Sequence, residues 1–435
     1  MYSVYSLLLF LALIFSTPWW LWQMLRHGKY RTGWSERLGR VPDRLFNRVA
    51  EHTIWIHAVS VGEVLAISHV IEGLKLQLPG WRIVVSTTTD AGQKLARQRF
   101  GENDVFYLPL DLPMWVRAYL EALRPKLLVL AESEFWPNLL HWARQSGAAV
   151  AVVNARVSDR SLPGYLRFRK LLQGVMQNVD VFLAQSDEDA RRLTQIGAPA
   201  ERVQVSGNLK FEVKPHARPA VVEPFRAALE REDIGPVIVA GSTLEGEEPI
   251  LLECFRNVAN HYPGGLLVLA PRHPERFESV ASLLASSGLR WERRSQWDGQ
   301  RAIAGGIFLL DTIGELASLY EFADIAFVGG SLVPRGGHNV LEAAHFGVAI
   351  LVGPSTENFR DIMEVFRRAD ALRVVSVQSL IPTVLHLLED HEQREGLGER
   401  AQAVVDSQQG ATQTTVDALL ELIHTHRPAL SEHGA

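Results

Sequence analysis

The stretch Asp324–Pro354, DIAFVGGSLVPRGGHNVLEAAHFGVAILVGP, decides the fold. Ile325 to Val328 is a short apolar run that reads as a buried strand, ended by Gly329 and Gly330. A second glycine pair, Gly336-Gly337, precedes a helical pattern from about Asn339 to His345. Gly347 punctuates, and Val348 to Val352 reads as the next strand, stopped by Gly353-Pro354. This is a βαβ unit with its loop at the carboxyl end of the first strand, where open α/β sheets bind ligands. The glycines let backbone N–H groups approach a ligand, and the helix N-terminus behind them carries partial positive charge. An anionic group, most simply a phosphate, is the natural guest. Asn339 and Glu342 are three apart and share a helix face, where a carboxylate can accept two hydrogen bonds from a ribose diol. No Gly-Lys-Ser/Thr follows the glycines and the GxGxxG fingerprint is absent, so neither standard nucleotide loop is present. An ordinary βα turn, with Glu342 serving the helix dipole and pairing with His338, explains the same residues, and both readings stand at this point.

Outward from this unit the alternation continues. Ile307–Leu310 leads into DTIGEL, Gly265–Leu269 into APRHPER, and Pro236–Ala240 into GSTLEGEE; residues from the 360s to His424 read as helical. Upstream, KPHARPAVVEP at 214–224 has no periodicity and three prolines, which suits an interdomain linker. Before it runs a second series: strands at Ile54–His57, Arg82–Ser86, Lys126–Leu130, Val150–Asn154, Val181–Ala184 and Val203–Val205. The class is therefore α/β, with two Rossmann-like domains (26–213 and 225–435) and a cleft between them; the last helices are free to pack back on the first domain.

The first 25 residues contain no charged side chain, and Tyr2–Leu25 is long enough for a hydrocarbon core of about 30 Å. Trp19, Trp20 and Trp22 form an interfacial belt, and Arg26, Lys29, Arg31, Arg37 and Arg40 follow. Residues 1–25 read as a membrane anchor with the bulk of the protein on the cytoplasmic side, although Pro18 also suits insertion into one leaflet. A net charge of −5 over 435 residues argues against a nucleic-acid binder. Cys254 is the only cysteine, which excludes an intrachain disulfide, and with no HExxH, CxxC or clustered histidine no metal site is expected.

The polar loops carry the candidate chemistry. Glu63 in HAVSVGEVLA falls in the first turn of a helix, placed for general-base work or for simple dipole compensation. Glu132 and Glu134 follow the strand LLVLA and point to one side while extended geometry persists; they can repel each other or orient a cationic partner. Arg272 in APRHPER suits bidentate contact with phosphate, and His273 and Arg276 are weaker candidates or solvated. Ser242 and Thr243 follow a strand and can bond an anion. Asn208 and Lys210 in GNLKF form a polar cluster at a lobe junction, read as acceptor contacts or a hinge.

In this order, HAVSVGEVLA, AESEFWPN, NARVSDRS, SGNLKFE, GSTLEGEE, APRHPER, DTIGEL and the glycine-rich stretch resemble the 3-deoxy-D-manno-oct-2-ulosonic acid (Kdo) transferases of Gram-negative bacteria. The resemblance runs from Trp22 to about Asp361. It implies a GT-B fold, two Rossmann-like domains facing across a cleft with the acceptor in the first and the nucleotide in the second. It also implies transfer of Kdo from CMP-Kdo to the 6′-hydroxyl of a tetraacylated lipid A precursor at the inner membrane, with inversion and with neither metal nor cofactor. Glu63 would be the general base, and Glu132 and Glu134 would support it. CMP would be held by Ser242, Thr243, Arg272, His273, Gly314, Glu315, Gly330, Gly336, Gly337, His338, Asn339 and Glu342, and Arg156 would join Asn208 and Lys210. The basic segments Arg26–Arg40 and Arg156–Lys170 would suit a phosphorylated, acylated acceptor. Leu244, Ala343 and Ser355 depart from the family's usual His, Pro and His. A transferase of another sugar, a sugar-nucleotide epimerase and a membrane-tethered nucleotide-sugar sensor are the rival readings.

Overall fold

The computed structural model describes residues 1–27, 32–46, 52–159, 161–212 and 219–426; the side chains of 17–27 and 361 fall outside that description. The chain forms two compact units, Met1–Val213 with Gln408–Ala435, and Lys214–Ser407.

The first unit is built on β1 (Thr53–His57), β2 (Arg82–Thr87), β3 (Val105–Tyr107), β4 (Leu127–Ala131), β5 (Ala149–Ala155), β6 (Val181–Ala184) and β7 (Val203–Val205). All pairs are parallel, in the order β3-β2-β1-β4-β5-β6-β7. Strands covered on both faces read as unbroken apolar runs, which is why LLVLA and VFLA stand out in the sequence. Alternation still sorts their side chains: Trp55 and Phe106 pack on one face with Tyr119, while Ile54 and Ile56 pack on the other with Ile67. Each such fully buried side chain contributes roughly 1.5–3 kcal/mol. Helix Ala411–Thr425 joins the second face through Val416 and Leu419. It approaches helix Val61–Gln77 closely at Gly73, where an added Cβ would lie 2.9 Å from Val416.

The second unit is built on β8 (Val237–Thr243), β9 (Leu266–Pro271), β10 (Trp291–Arg293), β11 (Ile307–Leu309), β12 (Ile325–Val328), β13 (Ala349–Val352) and β14 (Arg373–Val374). Its parallel order is β10-β11-β9-β8-β12-β13-β14. Connections therefore leave β1 and β8 to opposite sides of their sheets. The crevices above β1/β4 and above β8/β12 are topological switch points, where sheets of this kind bind ligands.

Three details depart from the sequence reading. The helix expected over Asn339–His345 is one turn, Leu341–Ala344, so little macrodipole is available there. Residues 214–218 of the expected linker lie outside the described residues, and helix Val222–Glu232 takes its last positions. The expected membrane-crossing helix is not met either: among the described residues no helix is long and apolar enough to cross a membrane. The first helix does run Tyr2–His27, but one stripe of it is occupied by protein. Tyr2 donates to the Gly174 carbonyl (3.1 Å) and stacks on His141 (4.0 Å), and Ser6 bonds Asn138 (3.0 Å). The tryptophan belt and Arg26 belong to the undescribed side chains, and Lys29 and Arg31 lie outside the described residues.

Candidate functional site

In the first unit four loops meet at the carboxyl ends of β1, β4, β5 and β7. Ser60 caps helix Val61–Gln77, and Glu63 sits three residues on, the S-x-x-E spacing of a capping box. The Glu63 carboxylate, 8 % exposed, accepts from the Val59 amide (2.7 Å) and the Ser60 hydroxyl (2.8 Å). Those bonds favour its charged form, yet burial and then the charge of Glu132, with Glu134 adding to it, push the Glu63 carboxyl up to about 7. Burial and the Glu132 charge also raise Glu134.

Glu132 and Glu134 reach this spot through a turn and not through continued extension. Glu132 adopts φ 58, and its amide bonds the Val153 carbonyl (2.9 Å). Lys210 meets the Glu132 carboxylate at 2.6 Å. The lysine is aimed by an Asn208 turn, in which the Asn208 side chain accepts from the Lys210 amide (3.0 Å), and by Asn154, which accepts from the Leu209 amide (3.0 Å). The Arg156 carbonyl takes the Ser133 hydroxyl, binding the β4 and β5 loops together. The motifs SVGE, ESEF, NARVS and GNLK thus form one cluster within this unit. Three of the six non-glycine residues at positive φ among the described residues, Glu132, Asn154 and Ser242, stand at these strand ends in the two units, as backbone strain at working sites does.

In the second unit the loops after β8, β9 and β12 come together. Arg272 is exposed, and its charge reaches both His338 and Glu342. Burial, then Arg272 and His273, push the His338 imidazole down to about 4, so it is neutral near pH 7 and offers no cation to Glu342. Burial raises the Glu342 carboxyl, opposed by Arg272 and by a hydrogen bond from Asn339. Asn339 also closes a turn just before the helix, its side chain accepting from the Leu341 amide (3.1 Å). His273 stays exposed at the rim, and Ser242 (φ 55) sits at the bulge ending β8.

Other expected contacts are turned inward. The Thr243 hydroxyl donates to buried Glu248 (2.9 Å), which also pairs with Arg276 (2.6 Å). Glu315 is held by Arg294 (2.9 Å) and Thr312, beside Gly314 at φ 87 in open space. Gly336 donates to the Ser355 hydroxyl (2.9 Å) and Gly337 to the Gly330 carbonyl (2.8 Å). The Gly330 amide, expected to face an anion, instead bonds Glu247 (2.7 Å). Glu247 went unnoticed in the sequence, although an acid pair directly behind the β8 loop was a visible signal. Among the described residues no three His, Cys, Asp or Glu side chains gather to hold a metal.

The family model for 3-deoxy-D-manno-octulosonic-acid transferase (kdotransferase) matches residues 32–213. A 3-deoxy-D-manno-octulosonic acid transferase of Bordetella pertussis is 35% identical over 92% of this chain and 94% of its own length. One from Haemophilus influenzae is 34% identical over 84% and 86%. Among solved structures, UDP-GlcNAc 2-epimerase from Neisseria meningitidis superposes with a TM-score of 0.54 at 14% identity, over 85% of this chain and 100% of that one; it shares the fold.

Proposed function

Because the chain belongs to the 3-deoxy-D-manno-octulosonic acid transferase family, and is thus a glycosyltransferase, we propose that it moves Kdo from CMP-Kdo to the 6′-hydroxyl of a tetraacylated lipid A precursor, with inversion and without an active-site metal. The observation that carries the chemical step is Glu63. A base that titrates at about 7 is half ionised near neutral pH and strong enough to accept a hydroxyl proton as the bond forms. Glu63 takes that proton, the acceptor oxygen bonds the anomeric carbon, and the carbon–oxygen bond to CMP breaks with its electron pair on the phosphate. Arg272 offsets the charge on the departing phosphate, while Asn339 and Glu342 hold the ribose side of the nucleotide. Lys210 balances Glu132, which limits how far the acid cluster raises Glu63.

The acceptor is acylated, and the first unit offers a matching surface. The face of the first helix turned away from the protein exposes Val4, Leu7, Leu8, Phe10, Leu11, Ile14 and Phe15. The segment Leu162–Met176, whose Gly174 carbonyl accepts the Tyr2 hydroxyl of that helix, exposes Leu166, Phe168 and Leu171 interleaved with Arg167, Arg169 and Lys170. Apolar side chains beside basic ones suit a protein bedded in one leaflet of an anionic membrane, the cytoplasmic face of the inner membrane. Flotation with anionic vesicles should therefore be strong for the native protein and weak for Leu7→Glu/Leu11→Glu.

The decisive experiment is transfer itself. Purified protein receives CMP-Kdo made in situ and the tetraacyl lipid A precursor, with EDTA present, and products are read by mass spectrometry. A gain of Kdo mass that Glu63→Gln abolishes supports both reaction and base. No gain while CMP still binds would send the donor to a different acceptor.

A further inference from the structure

The two loops flanking the second switch point are joined by one buried side chain. Glu247 is 0 % exposed and lies just past the β8 loop. Its carboxylate accepts four backbone amides: Leu244 (2.9 Å) and Gly330 (2.7 Å) on one oxygen, Ser331 (3.0 Å) and Leu332 (3.0 Å) on the other. Three of these belong to the loop after β12. A buried carboxylate is tolerated only when its lone pairs are filled, and here the loop's own N–H groups fill them.

The packing around it leaves no slack. A Cβ on Gly329 would lie 2.6 Å from the Ser242 carbonyl oxygen and 2.9 Å from the Glu247 carboxylate. A Cβ on Gly330 would lie 2.8 Å from the His338 ring. The Gly330 carbonyl in turn accepts the Gly337 amide, so the turn carrying His338 and Asn339 rests on a loop that Glu247 holds in place. The glycines of this stretch serve close approach to an internal carboxylate first, and only through it a ligand.

We propose that Glu247 is a positioning residue for the donor: it fixes the Gly329–Leu332 loop and thereby the Gly337–Glu342 segment that receives the CMP moiety. This rests on the Kdo-transferase reading for the identity of the donor, whereas the loop anchoring does not. Glu247→Gln keeps the shape but sets an amide NH2 against two of the four N–H donors. Loss of hydrogen bonds to a charged group at this strength corresponds to a roughly tenfold or larger effect.

The test compares three proteins: native, Glu247→Gln, and Glu232→Gln. Glu232 is a structural control remote from this loop, a carboxylate accepting from the Ile303 (2.8 Å) and Ala304 (3.0 Å) amides. Hydrogen exchange should show the Gly330, Ser331 and Leu332 amides protected in the native protein and at least tenfold faster in Glu247→Gln alone. CMP affinity and the KM for CMP-Kdo should weaken by roughly tenfold in Glu247→Gln, with kcat altered much less. Glu232→Gln should lower thermal stability and leave both values as in the native protein. Unchanged exchange and CMP affinity in Glu247→Gln, or equal weakening in both variants, would overturn the proposal. Faster exchange with weaker CMP binding would sustain it even if the native protein transferred no Kdo, an outcome that would count against the reaction alone.

Discussion

The two units carry acid clusters at equivalent places, above the β1/β4 and β8/β12 switch points, and the clusters are in opposite electrostatic states. Glu247 and Glu248 are fully enclosed and fully matched, the first by four amides and the second by Arg276 and Thr243. Glu63 is buried with two donors, but two further carboxylates add their charge to it, and among the described residues Lys210 on Glu132 is the cation bonded to that group. Burial alone does not make a carboxylate reactive. A complete set of donors makes it scaffold, and an incomplete set beside like charge leaves it holding a proton near neutral pH.

The largest effect that tests this contrast is on catalysis. Glu63→Gln should reduce the transfer rate by about 10²–10⁴-fold, the range of general-base catalysis. Glutamine keeps an oxygen that can accept from the Val59 amide and leaves the Ser60 cap in place, so the melting temperature should not fall by more than a few degrees. A variant that transfers at the native rate would place the base elsewhere.

A second test reads the same group through stability. The folded Glu63 carboxyl keeps its proton up to about pH 7, whereas its unfolded counterpart releases it near 4.5. Between those values the folded state binds more protons, so this group stabilises most below 4.5, and its contribution is lost as pH rises through 7. The shift corresponds to roughly 3 kcal/mol at most. Denaturant titrations from pH 4.5 to 7.5 should show this decline in the native protein and a flatter profile in Glu63→Gln; parallel profiles would mean that Glu63 is not perturbed.

The scaffold cluster should fail differently. Gly329→Ala forces a Cβ against the Ser242 carbonyl and Glu247, and overpacking of this kind costs about 1–3 kcal/mol. The expected result is a lower melting temperature with weaker CMP binding and an unmoved pH dependence of kcat. A shift in that pH dependence would show the two clusters to be coupled.

Much of this was legible in the chain. The central strands announced themselves as apolar runs, and the loops that hold Glu63, Glu132, Arg272 and the second glycine pair begin where such runs end, whereas the Asn208–Lys210 loop follows the edge strand β7. Three of the four edge strands, β3, β10 and β14, were missed because they have three, three and two residues, and WER and RV carry no buried pattern. The convergence of Asn154, Asn208 and Lys210 on Glu132 depends on strand order, which periodicity does not encode. The same limit hid Glu247. Glycines next to a strand suggested an external phosphate, and only the β8/β12 adjacency shows that an internal carboxylate already takes those amides.

The finest test tunes the reactive cluster without removing its base. The acid limb of the kcat/KM profile should fall near pH 7 in the native protein, since transfer requires ionised Glu63. Glu132→Gln removes the stronger of the two neighbouring charges and should move that limb to lower pH. Lys210→Ala leaves Glu132 uncompensated and should move it to higher pH. Glu134 is the smallest contributor to the Glu63 shift, so Glu134→Gln should move the limb down least. All three readings are taken as limb position against pH and not as rate, which separates electrostatic tuning from loss of acceptor contacts. If Lys210→Ala and Glu132→Gln moved the limb in the same direction, charge would not be what sets Glu63, and burial alone would have to explain its proton.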